Sequence, residues 1–253
     1  MPLIVHQFPV LADNYAFLVR DEATGLAACV DTPDAKAILA ELDKLGWKLA
    51  LILNTHWHSD HAGGDVEVAR ATGATIVGPA EVEKIAPVDR KVAGGDIVAL
   101  GETRLDVIET GGHTLGHIAY HDAAGHIAFV GDTLFALGCG RLFEGTAEQM
   151  WSSLQRLAAL PEDTTVYCAH EYTAANARFA LSVDGAAAVK ARAEQVFALR
   201  ERGQPTVPTT IGLEKATNPF LRAPKIAAGL GLTGRPDHEA FAAVRAAKDN
   251  FKG

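Results

Sequence analysis

The sequence Thr55-His56-Trp57-His58-Ser59-Asp60-His61 gathers three imidazoles and one carboxylate directly after the apolar run Leu49–Asn54, which predicts a buried strand. Residues two apart in an extended chain project to the same side, so the first two histidines of this stretch face together. Asp60 and His61 follow, close to Gly63-Gly64, which predicts a turn towards a helix. Imidazole and carboxylate are ligands for zinc, iron or manganese. The stretch therefore predicts a metal site that faces two ions, rather than a solvated polar loop.

Three later segments place histidine or aspartate after a predicted strand, at what should be the same edge of the sheet. They are Gly111-Gly-His113-Thr-Leu-Gly-His117, Gly131-Asp132-Thr-Leu-Phe135 and Cys168-Ala-His170-Glu-Tyr-Thr173. Asp132 is placed to bridge two cations with its two oxygens, since an unpaired carboxylate would be costly to bury. His113 and His170 complete the two ligand sets, whereas His117 is interpreted as a structural hydrogen-bonding residue. Asp31 either orients a ligand histidine or caps the following helix, and both interpretations stay open.

The first two-thirds of the chain alternate short β-branched runs with turns and helical patterns, which indicates a mixed α/β fold. Strands are predicted at Leu3–Phe8, Tyr15–Arg20, Leu26–Asp31, Leu49–Asn54, Thr75–Gly78, Arg104–Glu109, His117–His121, His126–Gly131 and Thr164–Cys168. Helices are predicted at Asp34–Leu45 and Ala147–Leu160. Beyond Glu171 the strand patterns vanish and apolar residues recur at helical spacing, which predicts a second, helical domain.

Composition narrows the classes of partner. The 253 residues are 48% hydrophobic and 21% charged, as in an ordinary globular protein. A net charge of −8 without a basic run disfavours nucleic acid and anionic membrane surfaces as partners. With no recognisable signal peptide or apolar span, a cytoplasmic location is expected. The chain is also expected to be a monomer. The three cysteines are widely spaced and are interpreted as reduced core residues.

The motifs THxHxDHxGG, GGHTxGH, GDTLF, GCGR and HEYT, in this order, resemble the metallo-β-lactamase superfamily and, within it, the glyoxalase II (hydroxyacylglutathione hydrolase) family. Asp13-Asn14-Tyr15 and Asn218-Pro-Phe-Leu-Arg222 match that family as well. The resemblance implies an α/β fold, an αββα sandwich over residues 1–170, followed by an α-helical substrate-binding domain over residues 171–253.

The resemblance also implies a role for individual residues. His56, His58 and His113 would bind a first metal ion, Asp60, His61 and His170 a second, and Asp132 would bridge them. Substrate-binding residues would be Arg141, Phe143, Tyr172, Arg222 and Lys225. Phe143 stands where many relatives have a tyrosine that hydrogen-bonds glutathione.

The expected reaction is cleavage of the thioester in S-(2-hydroxyacyl)glutathione, such as S-D-lactoylglutathione, to glutathione and D-lactate, a step of methylglyoxal detoxification. Two divalent ions, zinc with iron or manganese as alternatives, would share a water and supply it as a hydroxide nucleophile, with Asp60 and Asp132 as the catalytic carboxylates. The thiolate leaves without a strong general acid, and one metal stabilises the oxyanion. The rival interpretations are a persulfide dioxygenase-like enzyme of the same fold, a hydrolase of other thioesters or lactones, and a non-catalytic binding module.

Overall fold

The computed structural model describes residues 3–253 of the chain. The contacts between residues divide the chain into two compact units. Unit 1 comprises the chain up to Glu109 together with Gly116–Gly131, and unit 2 comprises Thr110–Leu115 together with Asp132–Gly253.

Unit 1 contains a six-stranded sheet whose strands lie side by side in chain order. The first three strands are antiparallel and the remaining neighbours are parallel. These strands are β1 (Ile4–Val10), β2 (Asn14–Arg20), β3 (Leu26–Val30), β4 (Lys48–Leu53), β5 (Thr75–Gly78) and β6 (Arg90–Lys91). The helices of this unit are α1 (Ala35–Leu45), α2 (Ser59–Ala62) and α3 (Asp65–Thr72), with a short 3-10 helix at Ala80–Lys84.

Helices α1 and α3 cover one face of this sheet. Ile38 and Leu42 of α1 and Val68 of α3 share one buried cluster with Leu18 and Ile52 of the strands. The helical spacing of these apolar side chains gives each helix one buried stripe. The expected helix at Asp34–Leu45 is thus present and begins one residue later.

A second set of strands in unit 1 packs against the first. It consists of β7 (Ile97–Leu100), β8 (Thr103–Glu109), β9 (Ile118–Asp122) and β10 (Ile127–Gly131), each antiparallel to its neighbour in the chain. The rings of Phe17 on β2 and Phe129 on β10 have centroids 5.7 Å apart. The buried hydroxyl of Tyr120 donates to the carbonyl of Asn54 at 3.0 Å. The two sets of strands therefore face each other across an apolar layer.

Unit 2 is mainly helical. Its elements are the hairpin β11 (Leu134–Phe135) and β12 (Gly138–Cys139), α4 (Ala147–Ala158), β13 (Thr165–Cys168), α5 (Thr173–Val183), α6 (Ala187–Glu201), β14 (Thr209–Thr210), α7 (Ile211–Thr217), α8 (Ala223–Ile226), a 3-10 helix at Ala227–Leu230 and α9 (Asp237–Asp249). Helices α5 and α6 enclose a buried cluster that includes Leu137, Ala180, Val189 and Ala193. Helix α4 begins with a capping box between Thr146 and Gln149.

The predicted α/β class is confirmed, and each predicted strand and helix is present with its ends shifted by a few residues. The sequence pattern does not indicate the strand Ile97–Leu100 or two-residue strands such as Arg90–Lys91 and Thr209–Thr210. All three cysteines are reduced and buried, as expected. Within residues 3–253, no helix has the length and apolar character needed to cross a membrane.

Candidate metal centre and substrate cavity

The first cluster of potential ligands lies in unit 1, where β4 leads into the loop before α2. His56 Nε2 lies 3.0 Å from His58 Nδ1, and the ring centroids of His56 and His61 are 4.0 Å apart. Asp60 Oδ2 lies 3.6 Å from His61 Nε2. His58 has an extended backbone directly before α2 begins, so one short stretch presents four donor side chains together. Within this cluster, donor atoms of neighbouring members lie within 4.8 Å of one another, a spacing at which two ligands can share an ion.

Asp31 orients one of these histidines. His61 Nδ1 donates to Asp31 Oδ2 at 2.9 Å, and the backbone N–H of Thr55 donates to Asp31 Oδ1 at 2.8 Å. Asp31 adopts a left-handed backbone (φ 56) at the end of β3, whereas the cap of α1 is Asp34, which accepts from the N–H of Ala37. Of the two interpretations of Asp31, the structure thus supports the orientation of a histidine.

Asn14 supports the carboxylate of the same cluster. Its Nδ2 lies 3.2 Å from both the side-chain Oδ2 and the backbone carbonyl of Asp60 and donates to them. Asn14 is buried at the start of β2. The Asp13-Asn14-Tyr15 motif therefore has a physical role that sequence reasoning did not assign.

His117 is buried and stacks on His56, with ring centroids 4.8 Å apart. Among residues 3–253, it belongs to none of the histidine and carboxylate groups spaced to hold a metal. A Cβ atom at Gly131, where φ is 48, would lie 2.7 Å from His117 Nε2 and 2.6 Å from Thr55 Oγ1. Glycine is therefore required where β10 passes this ring.

The second cluster lies in unit 2 and is centred on Asp132. Asp132 Oδ2 lies 3.3 Å from His113 Nε2, and Asp132 Oδ1 lies 3.3 Å from His170 Nε2. Each carboxylate oxygen thus faces a different imidazole. His113 Nδ1 donates to the carbonyl of Arg141 at 2.9 Å. All three side chains are buried.

The donor chemistry of both clusters fits divalent cations. His61 and His113 each use Nδ1 as a hydrogen donor, to Asp31 and to the Arg141 carbonyl respectively. The neutral ring then presents a lone pair at Nε2, and in both rings this atom faces a carboxylate oxygen. A lone pair and a carboxylate repel each other, and a metal cation placed between them would be attracted to both. Each cluster is therefore suited to a metal ion.

A cavity of about 450 Å³ opens in unit 2 beside the second cluster. Its walls combine potential metal ligands, aromatic rings and cationic side chains. It is lined by His113, Asp132, Phe135, Cys139, Gly140, Arg141, Phe143, Tyr172, Ala175, Asn176, Arg245, Lys248, Asp249 and Phe251. Three of the five expected substrate-binding residues, Arg141, Phe143 and Tyr172, are among them.

Two of these residues contact the histidines of the second cluster. The ring of Tyr172 stacks on His170, with centroids 4.7 Å apart and planes inclined by 2°. The ring of Phe143 meets His113 edge-on at 5.1 Å and remains 62% exposed. Substrate lying in the cavity would therefore contact these rings next to the histidines.

Arg222 and Lys225 lie elsewhere in unit 2, outside the walls of this cavity. Arg222 Nε donates to Asp184 Oδ2 at 2.7 Å, and this ion pair is largely buried. Lys225 lines a different cavity of about 270 Å³ with Lys215 and Gln155. The geometry therefore does not support the expected clamp on a substrate carboxylate. The Arg222 guanidinium is already paired with Asp184, and Lys225 lines a different cavity.

The cations that do line the cavity come from α9, and sequence reasoning missed them. Arg245 is buried, donates through Nη1 to the carbonyl of Cys139 at 3.0 Å and through Nη2 to Asp249 at 2.8 Å. Burial, with help from Arg245 and other nearby cations, lowers the pKa of Lys248. In the sequence, Arg245 and Lys248 are three residues apart in a helical pattern, which places both on one helix face. That signal does not distinguish a cavity wall from a solvated face.

Comparison with known protein families gives matches over most of the chain. Residues 21–170 match the family model described as the metallo-beta-lactamase superfamily. Residues 171–251 match the model described as the hydroxyacylglutathione hydrolase C-terminus.

Individual relatives agree with these models. A protein of Erythrobacter litoralis (strain HTCC2594) named hydroxyacylglutathione hydrolase is 54% identical over 98% of this chain and 100% of its own length. The crystal structure of ETHE1 from Myxococcus xanthus is 28% identical with a TM-score of 0.68, covering 97% of this chain and 98% of that one. The crystal structure of TTHA1623 in a di-iron-bound form is 25% identical with a TM-score of 0.63, covering 86% of this chain and 100% of that one. The chain thus belongs to the metallo-beta-lactamase superfamily and, within it, to the hydroxyacylglutathione hydrolase family.

Proposed function

We propose that this chain hydrolyses the thioester of S-(2-hydroxyacyl)glutathione, with S-D-lactoylglutathione as the substrate in methylglyoxal detoxification and D-lactate and glutathione as products. The observation that carries the proposal is the cavity of unit 2. One wall contains His113 and Asp132, which are suited to a metal, and other walls contain Arg141, Arg245 and Lys248. A glutathione thioester carries carboxylates away from its reacting carbonyl, so it needs both kinds of group in one cavity.

Family membership and the His/Asp clusters imply divalent metal ions. We propose that there are two, the first bound by His56, His58 and His113 and the second by Asp60, His61 and His170, with Asp132 as the bridge. The two oxygens of Asp132, each facing a different imidazole, support the bridging role. The di-iron form of the relative TTHA1623 supports the stoichiometry. Zinc is the proposed metal, with iron or manganese as alternatives.

Bound ions would supply an activated water and a Lewis acid for the carbonyl oxygen. The residues of the chain would bind and orient the substrate. Asp60 and Asp132, the proposed catalytic carboxylates, would partly neutralise the positive charge of the bound ions. Arg141, Arg245 and Lys248 would bind the carboxylates of the tripeptide, and Phe143 and Tyr172 would pack against its backbone. Since these cations contact parts of the substrate that do not react, they act mainly on KM.

An assay of purified, metal-replete protein tests the proposal. We expect free thiol to be released from S-D-lactoylglutathione, close to two metal ions per chain by elemental analysis, and poor turnover of β-lactams. Oxygen uptake with glutathione persulfide would instead favour the dioxygenase-like alternative, which is less supported because residues 171–251 match the hydroxyacylglutathione hydrolase C-terminus. Efficient turnover of another thioester or a lactone, with the glutathione thioester inert, would contradict the substrate.

From the sequence we also propose a catalytic domain over residues 1–170 and a substrate-binding domain over residues 171–253. We further propose a monomeric state and a cytoplasmic location. Sedimentation of the purified protein tests the monomer.

A further inference from the structure

A short hairpin connects Asp132 to Arg141, both of which line the cavity. It consists of β11, Ala136-Leu137 and β12 and is here called the 134–139 hairpin. It begins two residues after Asp132 and leads through Gly140 into Arg141. Phe135 and Cys139 line the cavity. The turn contains Leu137, which is fully buried and has a φ of 57. A leucine in the left-handed region is unfavourable, so neighbouring contacts must hold the turn in this shape.

Those contacts come from side chains distant in sequence. The N–H of Leu137 donates to Glu214 Oε2 at 2.9 Å. Asn218 Nδ2 donates to the carbonyl of Phe135 at 3.1 Å and to that of Gly138 at 2.9 Å. Asn176 Nδ2 also donates to the carbonyl of Ala136 at 3.1 Å. The hairpin has only two residues in each strand, so these side-chain bonds help to fix where it lies.

Glu214 connects the turn of the hairpin to other buried polar side chains of unit 2. It is fully buried at α7. Its Oε1 accepts from Arg192 Nη2 and from Thr209 Oγ1. Its Oε2 accepts from the Leu137 N–H and from Asn218 Nδ2. One carboxylate therefore receives four hydrogen bonds, and because it is paired with a buried guanidinium its charge is compensated.

The hairpin in turn contacts the groups that would meet the substrate. The ring of Phe135 stands edge-on to His170 at 5.8 Å and to Tyr172 at 5.5 Å. The carbonyl of Cys139 accepts from Arg245 Nη1. A displacement of the hairpin would therefore disturb the rings of Phe135 and Tyr172 and the guanidinium of Arg245 together.

We propose that Glu214 is a positioning residue for the reaction, which acts through the 134–139 hairpin to set the geometry of the glutathione cavity. The inference rests on the proposed function in that glutathione is taken as the ligand of the cavity. Glu214 does not line the cavity itself, and the hairpin is the cavity-lining segment to which its carboxylate is hydrogen-bonded.

The test compares Glu214→Gln with Thr217→Val in the metal-replete, full-length protein. An amide nitrogen donates rather than accepts, so Glu214→Gln removes acceptors for the donors around it while preserving its shape. Thr217 Oγ1 belongs to the same buried network, because it accepts from Arg192 Nη1 at 2.5 Å and donates to the carbonyl of Leu213. It has no hydrogen bond to the hairpin among the described contacts, which makes Thr217→Val a matched control for lost stability.

Three measurements are needed: hydrogen–deuterium exchange over residues 134–139, the Kd of glutathione by calorimetry, and KM with kcat for S-D-lactoylglutathione. We expect Glu214→Gln to accelerate exchange in the hairpin and to raise Kd and KM by about tenfold, the effect of losing roughly one hydrogen bond to a charged group. Thr217→Val should lower the melting temperature with both constants unchanged. If Glu214→Gln does not fold, Asn218→Ala, which removes the donor to two hairpin carbonyls, should give the same pattern.

Equal exchange in the two variants, or a Kd that Glu214→Gln leaves unchanged, would overturn the inference and leave Glu214 a purely stabilising residue. A wild-type chain that binds glutathione without cleaving its thioester would contradict the proposed function, while exchange and Kd still decide the role of Glu214. A chain that does not bind glutathione would overturn both.

Discussion

Asp31 and His61 are 30 residues apart in the chain, and the Nδ1 hydrogen of His61 is donated to Asp31 Oδ2 at 2.9 Å. Both side chains are buried, with 6% and 1% exposed. The bond fixes which ring nitrogen is left for a metal and raises the basicity of that nitrogen. Asp31 thus links the end of β3 to the ligand loop after β4.

Replacing Asp31 by alanine should weaken metal binding. Partners of this kind typically contribute about 10- to 100-fold in metal affinity, so we expect a loss of that size in competition with a chelator. Asp34→Ala is the matched control, because Asp34 caps α1. It should lower the free energy of unfolding by about 0.5–2 kcal/mol without changing metal affinity. Equal metal affinities in the two variants would refute the orienting role.

Lys248 and Lys225 provide a paired test of the substrate cavity. Lys248 lines the cavity with Arg141 and Arg245, whereas Lys225 lines a separate one. A charge-assisted hydrogen bond contributes about 1.5–3 kcal/mol, so Lys248→Ala should raise KM by about tenfold or more. Because the contact is remote from the scissile carbonyl, kcat should change little. Lys225→Ala is the control and should leave KM unchanged. Steady-state kinetics and thermal melts of Lys248→Ala and Lys225→Ala check the expectation, and an equal KM in the two variants would contradict it.

The clustering of these histidine and aspartate side chains could be predicted from sequence because several of them are close together in the chain. Four proposed ligands fall within Thr55–His61, and Asp132 and His170 each follow a strand that an apolar run predicts. The orientation of His61 could only be suspected, because Asp31 reaches it through a left-handed backbone that no pattern announces.

The cationic side chains that line the cavity were predicted less well, for a physical reason. A cation in a helical pattern is usually solvated, and sequence does not show which helix face meets a cavity. Arg222 is paired with Asp184 across 38 residues, and Arg245 reaches the Cys139 carbonyl across 106. Such contacts depend on tertiary packing, as does the 134–139 hairpin, whose strands are too short to produce an alternating pattern.

Asp65 should make stability depend on pH. Burial raises the pKa of its carboxyl to about 7, although Thr32 and Asn54 donate to it. The folded state then binds the proton more tightly than the unfolded state, whose pKa is about 3.9. The resulting stabilisation is complete below about pH 4 and is lost as the pH rises to about 7, at up to about 1.4 kcal/mol per pH unit.

Denaturant unfolding of wild type and Asp65→Asn between pH 4 and 8 measures this contribution. The difference in the free energy of unfolding, wild type minus variant, should fall with rising pH and level off above about pH 7. Other titrating groups cancel in the difference. Parallel curves would show that Asp65 is ionised throughout this range.

Phe143→Tyr should improve substrate binding. The ring lines the cavity, meets His113 edge-on and is 62% exposed. A new hydroxyl at its rim would reach solvent or substrate rather than being buried without a partner, so the melting temperature should not fall. If the tripeptide backbone passes this ring, the hydroxyl adds one neutral hydrogen bond of about 0.5–1.5 kcal/mol, which corresponds to a KM about two- to tenfold lower. The contact is uniform between ground state and transition state, so kcat should stay nearly constant and the gain should appear in kcat/KM. An unchanged or higher KM would show that Phe143 lies outside the path of glutathione, and would weaken the assignment of the adjacent Arg141 to that path.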